Sequence, residues 1–365
     1  MNQEKNNSEK NSSSLKNILT KKVEPISVHN PKKVSQLLVE MSNTGFQGKN
    51  LGRVVDVWEL MIKDQDATIL LGYAGSLSTT GQWKIINWLI ENRFIDVLVS
   101  TGANISEDIV DAMGLGYWQG SHRVDDMEVF KHDMNRYYDV FGKEDDYMRM
   151  TEMIAEFIMT LKENHPYTSR EFLYRFGKWL GEKGINSIVA TAAKHGVPIY
   201  CPAIADSPYG DATLIAKSKG FHFVIDAMED YREFMSIGDK VKNTGVVYIG
   251  GGVPKDFIQL LSVTADLLFK ERKIPSRTGG WQRAGETYYP HRYAIQITTD
   301  SPQWGGLSGC TFEEAMSWGK EDPKGKNVQV YCDATIALPI VTQAIAERVK
   351  IKRNAPDFSW LFEKK

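Results

Sequence analysis

Short runs of consecutive apolar residues recur along this chain, and nearly every one stops at a cluster of small, hydroxylic or acidic residues. Ala67–Tyr73 runs into Gly72-Tyr-Ala-Gly-Ser-Leu-Ser-Thr-Thr-Gly81, and Ile95–Ser100 into Thr101-Gly-Ala-Asn-Ile-Ser-Glu107-Asp108. Val197–Cys201 leads to Pro202-Ala-Ile-Ala-Asp206-Ser-Pro-Tyr-Gly-Asp211, Val246–Ile249 to Gly250-Gly-Gly252, and Tyr293–Thr298 to Thr299-Asp300. Phe221–Asp226 and Val328–Asp333 complete a set of about seven. A strand covered on one face alternates apolar with polar residues, whereas a strand covered on both is apolar throughout. Helical patterns fill the intervals, as at 50–63, where Leu51, Val54, Val55, Trp58, Met61 and Ile62 share one face. Strands alternating with helices predict an α/β fold: a Rossmann-like, mostly parallel sheet with helices on both faces.

Such a sheet collects ligand loops outside the carboxyl ends of its strands. The candidate site therefore lies in the clusters just named. Hydroxyls before the helix expected from Thr80 suit N-capping, and free amides there suit a phosphate. Glu107 and Asp108 fit either a ligand site or a first helical turn favoured by the macrodipole. Asp206 and Asp211 can bind a ribose or a cationic amine, or can bond their own turn. Gly250–Gly252 lets the backbone approach a ligand closely, and Pro254 follows in the first helical turn. The strict Gly-x-Gly-x-x-Gly fingerprint is absent.

One further stretch carries chemistry. Ser308-Gly-Cys-Thr-Phe-Glu-Glu-Ala-Met-Ser-Trp-Gly-Lys320 joins a small-residue turn to an acidic helical turn and ends in Trp318-Gly319-Lys320. A lysine beside an aromatic wall and an acid-tipped strand is a candidate amine nucleophile, since desolvation disfavours its charged form. The bland alternative is a solvated loop lysine.

The remaining composition narrows the class. Lys plus Arg is 44 against 46 Asp plus Glu, a net charge of -2 that carries no nucleic-acid footprint. Cys201, Cys310 and Cys332 have no metal-ligand spacing, so a reduced protein without a metal site is expected. No run of eighteen apolar residues spans a membrane, and the N-terminus lacks a signal peptide's apolar core, so a cytoplasmic location is expected. Residues 1–22 have few hydrophobes and predict a flexible polar arm. Residues 23–365 contain no evident linker or repeat and are expected to form a single catalytic domain.

The pair Glu-Glu-Ala-Met-Ser-Trp-Gly-Lys and Tyr-Cys-Asp-Ala-Thr resembles the active-site segment of deoxyhypusine synthases, and the likeness extends from about Phe46 to Ala346. Within the family it is nearest in pattern to the deoxyhypusine synthase-like proteins of bacteria. The resemblance implies NAD as cofactor, a polyamine such as spermidine as substrate, and Lys320 carrying the aminobutyl group as an imine. It assigns cofactor contacts to Ser76, Thr79, Thr80, Thr101, Gly102, Glu107, Asp206, Gly250, Gly251, Gly252, Thr299, Asp333 and Ala334. It assigns substrate contacts to Asp211, Asp256, Trp304, Ser308, Glu314 and Trp318. It further implies a homotetramer, a dimer of dimers with sites between subunits. Two departures bear on the substrate. The family's eukaryotic pattern has two histidines where this chain has Asp256-Phe257, and acids where it has Trp304 and Leu307. The acceptor expected is therefore either a small amine, giving a homospermidine-type product, or a protein lysine. The alternative is a catalytically silent NAD-binding or scaffold protein that keeps the fold.

Overall fold

The computed structural model describes residues 21–267, 280–283 and 286–362. The expected polar arm lies outside the described residues except for its last two. So does much of the expected glycine-rich loop at 271–292, whose described part forms a small antiparallel hairpin, Trp281–Arg283 with Glu286–Tyr288.

Six strands form the central sheet: β1 (Ala67–Tyr73), β2 (Val97–Ser100), β3 (Ile199–Tyr200), β4 (Asn243–Ile249), β5 (His291–Thr298) and β6 (Glu321–Tyr331). Their spatial order is β6-β5-β4-β1-β2-β3, and every pairing is parallel. Read from the other edge this is 3-2-1-4-5-6, the doubly wound dinucleotide-binding order, with its reversal between β1 and β4.

The apolar strands behave as expected of a doubly covered sheet. Ile69, Leu71 and Tyr73 of β1 pack into the larger apolar cluster, with the helices Phe46–Lys63, Trp83–Glu91, Ile188–His195 and Ala334–Arg348. Leu70, Val97, Val99, Val246 and Tyr248 face the other way, against Phe234, Ile258 and Leu261. Successive side chains thus alternate between two cores. Beneath the sheet Arg353 donates to Asp96 Oδ2 at 2.6 Å, both side chains fully buried.

Three sequence expectations are corrected. The run Phe221–Asp226 is not a strand of the central sheet: only Val224–Ile225 is extended, and it pairs with Pro166–Tyr167. The helix expected from Thr80 begins at Trp83, behind a separate 3₁₀ turn at Ser78–Thr80. The stretch 115–143, irregular by sequence, contains an antiparallel sheet of Trp118–Gln119, Val140–Lys143 and Met134–Tyr137.

Candidate active site

The carboxyl ends of β1, β2 and β3 open into loops that are bonded to one another. Asn104, fully buried, staples the first two: its side chain accepts from Leu77 N at 2.7 Å and donates to the carbonyls of Tyr73 and Ala74. Thr101 Oγ1 donates to Gly75 O at 2.7 Å. Ser76 Oγ donates to Glu107 in a short hydrogen bond. Burial pushes the Glu107 carboxyl up to about 7, an effect the Ser76 hydroxyl only partly offsets. Its neighbour Asp108 serves a different purpose, accepting from Ile188 N at the start of helix Ile188–His195. Burial raises Asp108 to about 7 as well.

The hydroxyls of Thr79 and Thr80 close their own turn, donating to Ser76 O and Leu77 O. Gly102 is where the β2 and β3 loops touch: a Cβ there would fall 2.2 Å from Ser207 Oγ. Asp206 and Asp211 are both exposed, and Tyr147 OH donates to Asp211 Oδ2 at 3.4 Å. Asn104, Tyr147 and Ser207 escaped the sequence reading, since an isolated polar residue in a loop gives no periodic or motif signal.

The loop after β4 meets both halves of the site. A Cβ on Gly250 would sit 3.2 Å from Ala74 Cβ on the β1 loop, and one on Gly251 would sit 1.9 Å from Ser308 O. Gly250 and Gly252 have φ of 75° and 58°, which favour glycine. Helix Gly252–Leu267 then begins at the reversal point of the sheet, where the first amides of a helix have no intrahelical partner. Ser308 is held in turn, its N–H donating to Asp300 Oδ2 at 2.7 Å.

Lys320 is fixed by its backbone: its N–H donates to Ala315 O, ending helix Phe312–Ser317, and its carbonyl accepts from His291 N. Gly319, with φ of 76°, turns the chain between the two elements. Lys320 Nζ donates to Asp256 Oδ1 at 3.1 Å and lies 5.8 Å from the Trp318 ring centroid. The lysine side chain is 12% exposed and that of Asp256 62%. The amine thus has a carboxylate partner as well as the expected aromatic neighbour. Glu314 is exposed on the first turn of the same short helix, whose N-cap is Thr311.

Trp304, Leu307 and Trp318 are 87%, 94% and 59% exposed. Thr299 is exposed just beyond β5. Asp333 caps helix Ala334–Arg348, Oδ1 accepting from both the N–H and the hydroxyl of Thr335 at 2.8 Å. Asp333 also lines a cleft of about 840 Å³ with Ser78–Gln82 and Tyr117–Gly120.

A dinucleotide fits this arrangement on the protein's own terms. The reversal point carries a left-handed glycine turn, a helix N-terminus and open space: a Cβ on Gly75, Gly81 or Gly252 would meet nothing within 4 Å. Beside them is a buried Glu107 carboxyl with its hydroxyl partner.

Comparison with known proteins gives a consistent result. The family model described as "Deoxyhypusine synthase" matches residues 36–345. The "Probable deoxyhypusine synthase 2" of Methanosarcina mazei is 44% identical over 92% of this chain and 93% of that protein. The protein of the same name from Archaeoglobus fulgidus is 46% identical over 84% and 95%. A "Deoxyhypusine synthase-like protein" of Chlorobaculum tepidum is 37% identical over 87% and 86%. Among solved structures, one from Entamoeba histolytica assigned to the deoxyhypusine synthases superposes with a TM-score of 0.60 at 18% identity, covering 90% of this chain and 99% of that one.

Proposed function

Because the chain belongs to the deoxyhypusine synthase family, whose members are aminobutyl transferases, we propose that it moves an aminoalkyl group from a polyamine to an acceptor amine through an imine on Lys320. The observation that carries this reading is the position of the Lys320 amine, 3.1 Å from Asp256 on the helix that begins at the Gly250–Gly252 turn. NAD, held by the β1, β2 and β4 loops and Glu107, supplies a hydride acceptor and donor when bound. Asp206 and the Asp333 cleft are the further cofactor contacts in this reading.

The chain's own residues then have separate tasks. Lys320 attacks only as the neutral amine, and Asp256 is the nearest acceptor for the proton it must lose. Exposed Asp211 and Glu314 are the amine anchors. Trp318 and Trp304 offer flat walls to the alkyl part and cation faces to an ammonium. Leu307 and Trp304 provide no carboxylate, and an ammonium buried without a partner is costly. The site therefore favours a shorter or less charged amine than triply charged spermidine. The exposed Trp304, Leu307 and Trp318 suit coverage by a second subunit, consistent with a tetramer whose sites lie between chains. Because the chain carries Lys320, Glu314 and Asp211, this reading is favoured over the silent scaffold.

The test is incubation with NAD and a panel of putrescine, agmatine, spermidine and homospermidine, followed by borohydride and peptide mass analysis. An aminoalkyl mass on Lys320, absent in Lys320→Arg, is expected. An adduct on another lysine refutes the assignment. Preference for spermidine with a protein acceptor over every smaller amine refutes the substrate reading.

A further inference from the structure

Helix Gly252–Leu267 carries a buried polar stripe beside the apolar one that packs on the sheet. Lys255, Gln259 and Ser262 recur at the spacing of one helical face, and all three are buried. Lys255 Nζ donates to Gln296 Oε1 at 2.9 Å and to Cys310 O at 2.5 Å. Gln296 Nε2 donates in turn to Gly250 O at 2.8 Å. This seam thereby joins the β4 turn to the segment that leads into Lys320.

At its far end is Glu321, the residue after Lys320. Its side chain is fully buried, Oε1 accepts from Gln259 Nε2 at 3.4 Å, and Oε2 has no hydrogen-bond partner among the described residues. Buried carboxyl oxygens are seldom left so, and each exception needs a reason.

We propose that Glu321 is a positioning residue for Lys320: a buried, proton-exchanging carboxyl that sets the charge of the active-site amine from below, through the polar seam of this helix. The groups facing it are Lys255 from the helix, Tyr248 from β4, His291 (its register partner on β5), Cys310 from the Ser308 segment, and Lys320 beside it on β6. Burial pushes Glu321 up to about 8, against the lowering pull of Gln259, Lys255 and Lys320. Neutral at pH 7, it leaves Lys320 without a counter-charge on that side and so favours the reactive amine. Ionised, it holds the ammonium and quenches the nucleophile. Asp256, exposed to solvent, accepts the proton; Glu321 decides how readily it leaves.

This inference rests on Lys320 being the reacting amine, but its test needs neither NAD nor substrate. Trace acetylation of the full-length protein with acetic anhydride, quantified at Lys320 by peptide mass analysis against an exposed reference lysine, is followed from about pH 6 to 10. Wild type should show an inflection near pH 8, to which burial raises Glu321. Glu321→Gln, equal in size, should lose it and label Lys320 severalfold faster above it. Lys255→Met, which removes the cation that lowers Glu321, should move the inflection to higher pH. A wild-type profile without the inflection overturns the proposal even if a variant does not fold, and so does an inflection that survives Glu321→Gln. Failure of the borohydride adduct with this inflection present would refute the transferase reading and leave the coupling intact.

Discussion

Adding one methyl group at Gly251 tests how the two halves of the site are joined. In Gly251→Ala the new Cβ would lie 1.9 Å from Ser308 O, 2.7 Å from Ser308 Cβ and 2.8 Å from its carbonyl carbon. Carbon–oxygen contacts settle at about 3.3–3.6 Å, so the first overlap is at least about 1.4 Å. None of these atoms is the loose end of a long side chain. Ser308 cannot retreat alone, because its N–H is bonded to Asp300, whose own N–H is bonded to Thr298 Oγ1 at the end of β5. Relief must move backbone on one side or the other, an overpacking cost of about 1–3 kcal/mol.

Gly252→Ala is the control. It meets nothing within 4 Å, but its φ of 58° imposes backbone strain of about 1–2 kcal/mol. Denaturant midpoints should therefore fall in both variants. NAD affinity by calorimetry and the Lys320 adduct yield should fall much further in Gly251→Ala, where the β4 turn is pushed off the Ser308 segment. A Gly251→Ala protein within about 0.5 kcal/mol of wild type, with unchanged NAD affinity, would refute the reasoning.

Other consequences are open to direct measurement. Arg353→Met removes the 2.6 Å partner of the fully buried Asp96 carboxylate, leaving it Arg93 at 3.8 Å and the Ile69 N–H, and should cost about 3–5 kcal/mol in urea unfolding; a loss below about 1 would mean the pair carries no weight. Gly181→Ala, on an exposed helical position with open space around it, should stabilise by about 0.4–1 kcal/mol, and a lowered midpoint would contradict that. Ser76→Ala removes the hydrogen bond that lowers Glu107 and should weaken NAD binding while leaving the melting temperature nearly unchanged. Glu321 has a folded pKa raised from 4.5 to about 8, so its protonation stabilises the fold fully below the lower value and this contribution is lost as pH rises through the upper one. Wild type should accordingly lose melting temperature relative to Glu321→Gln across that window, and parallel curves would show that Glu321 does not titrate there.

Most of the sheet was legible because burial on both faces forces an unbroken apolar run, as in Ala67–Tyr73. The misread elements lack that condition. Phe221–Asp226 contains His222, whose ring and N–H bond Asn164 and Glu163 near the surface, so this run lies outside the doubly covered layer. β6 was expected only from Val328, because Glu321-Asp-Pro-Lys-Gly-Lys-Asn looks like a loop. It is nevertheless a strand, since β6 is the outer strand of the sheet with β5 as its sole neighbour, and an edge tolerates Pro323 and Gly325.

The site was legible as a set of loops but not as a set of pairs. Ser76 meets Glu107 across 31 positions, Lys320 meets Asp256 across 64, and Glu321 meets Gln259 across 62. No local pattern encodes such separations: the order of the strands brings the Ser76 and Glu107 loops together, and the packing of helix Gly252–Leu267 on the sheet brings Asp256 and Gln259 to the start of β6. Glu321 is the hardest case, because a glutamate opening a polar, proline-containing stretch has every mark of a solvated residue. What betrays it lies elsewhere in the chain, on the helix that covers it. Lys255, Gln259 and Ser262 repeat at the period that ordinarily carries apolar residues into a core, while Phe257, Ile258 and Leu261 share the same helix. A polar stripe at core spacing costs stability unless something polar waits on the other side. The stripe therefore predicts a buried polar partner on the sheet opposite, and Glu321, beside the reactive lysine, is the buried carboxyl that answers it.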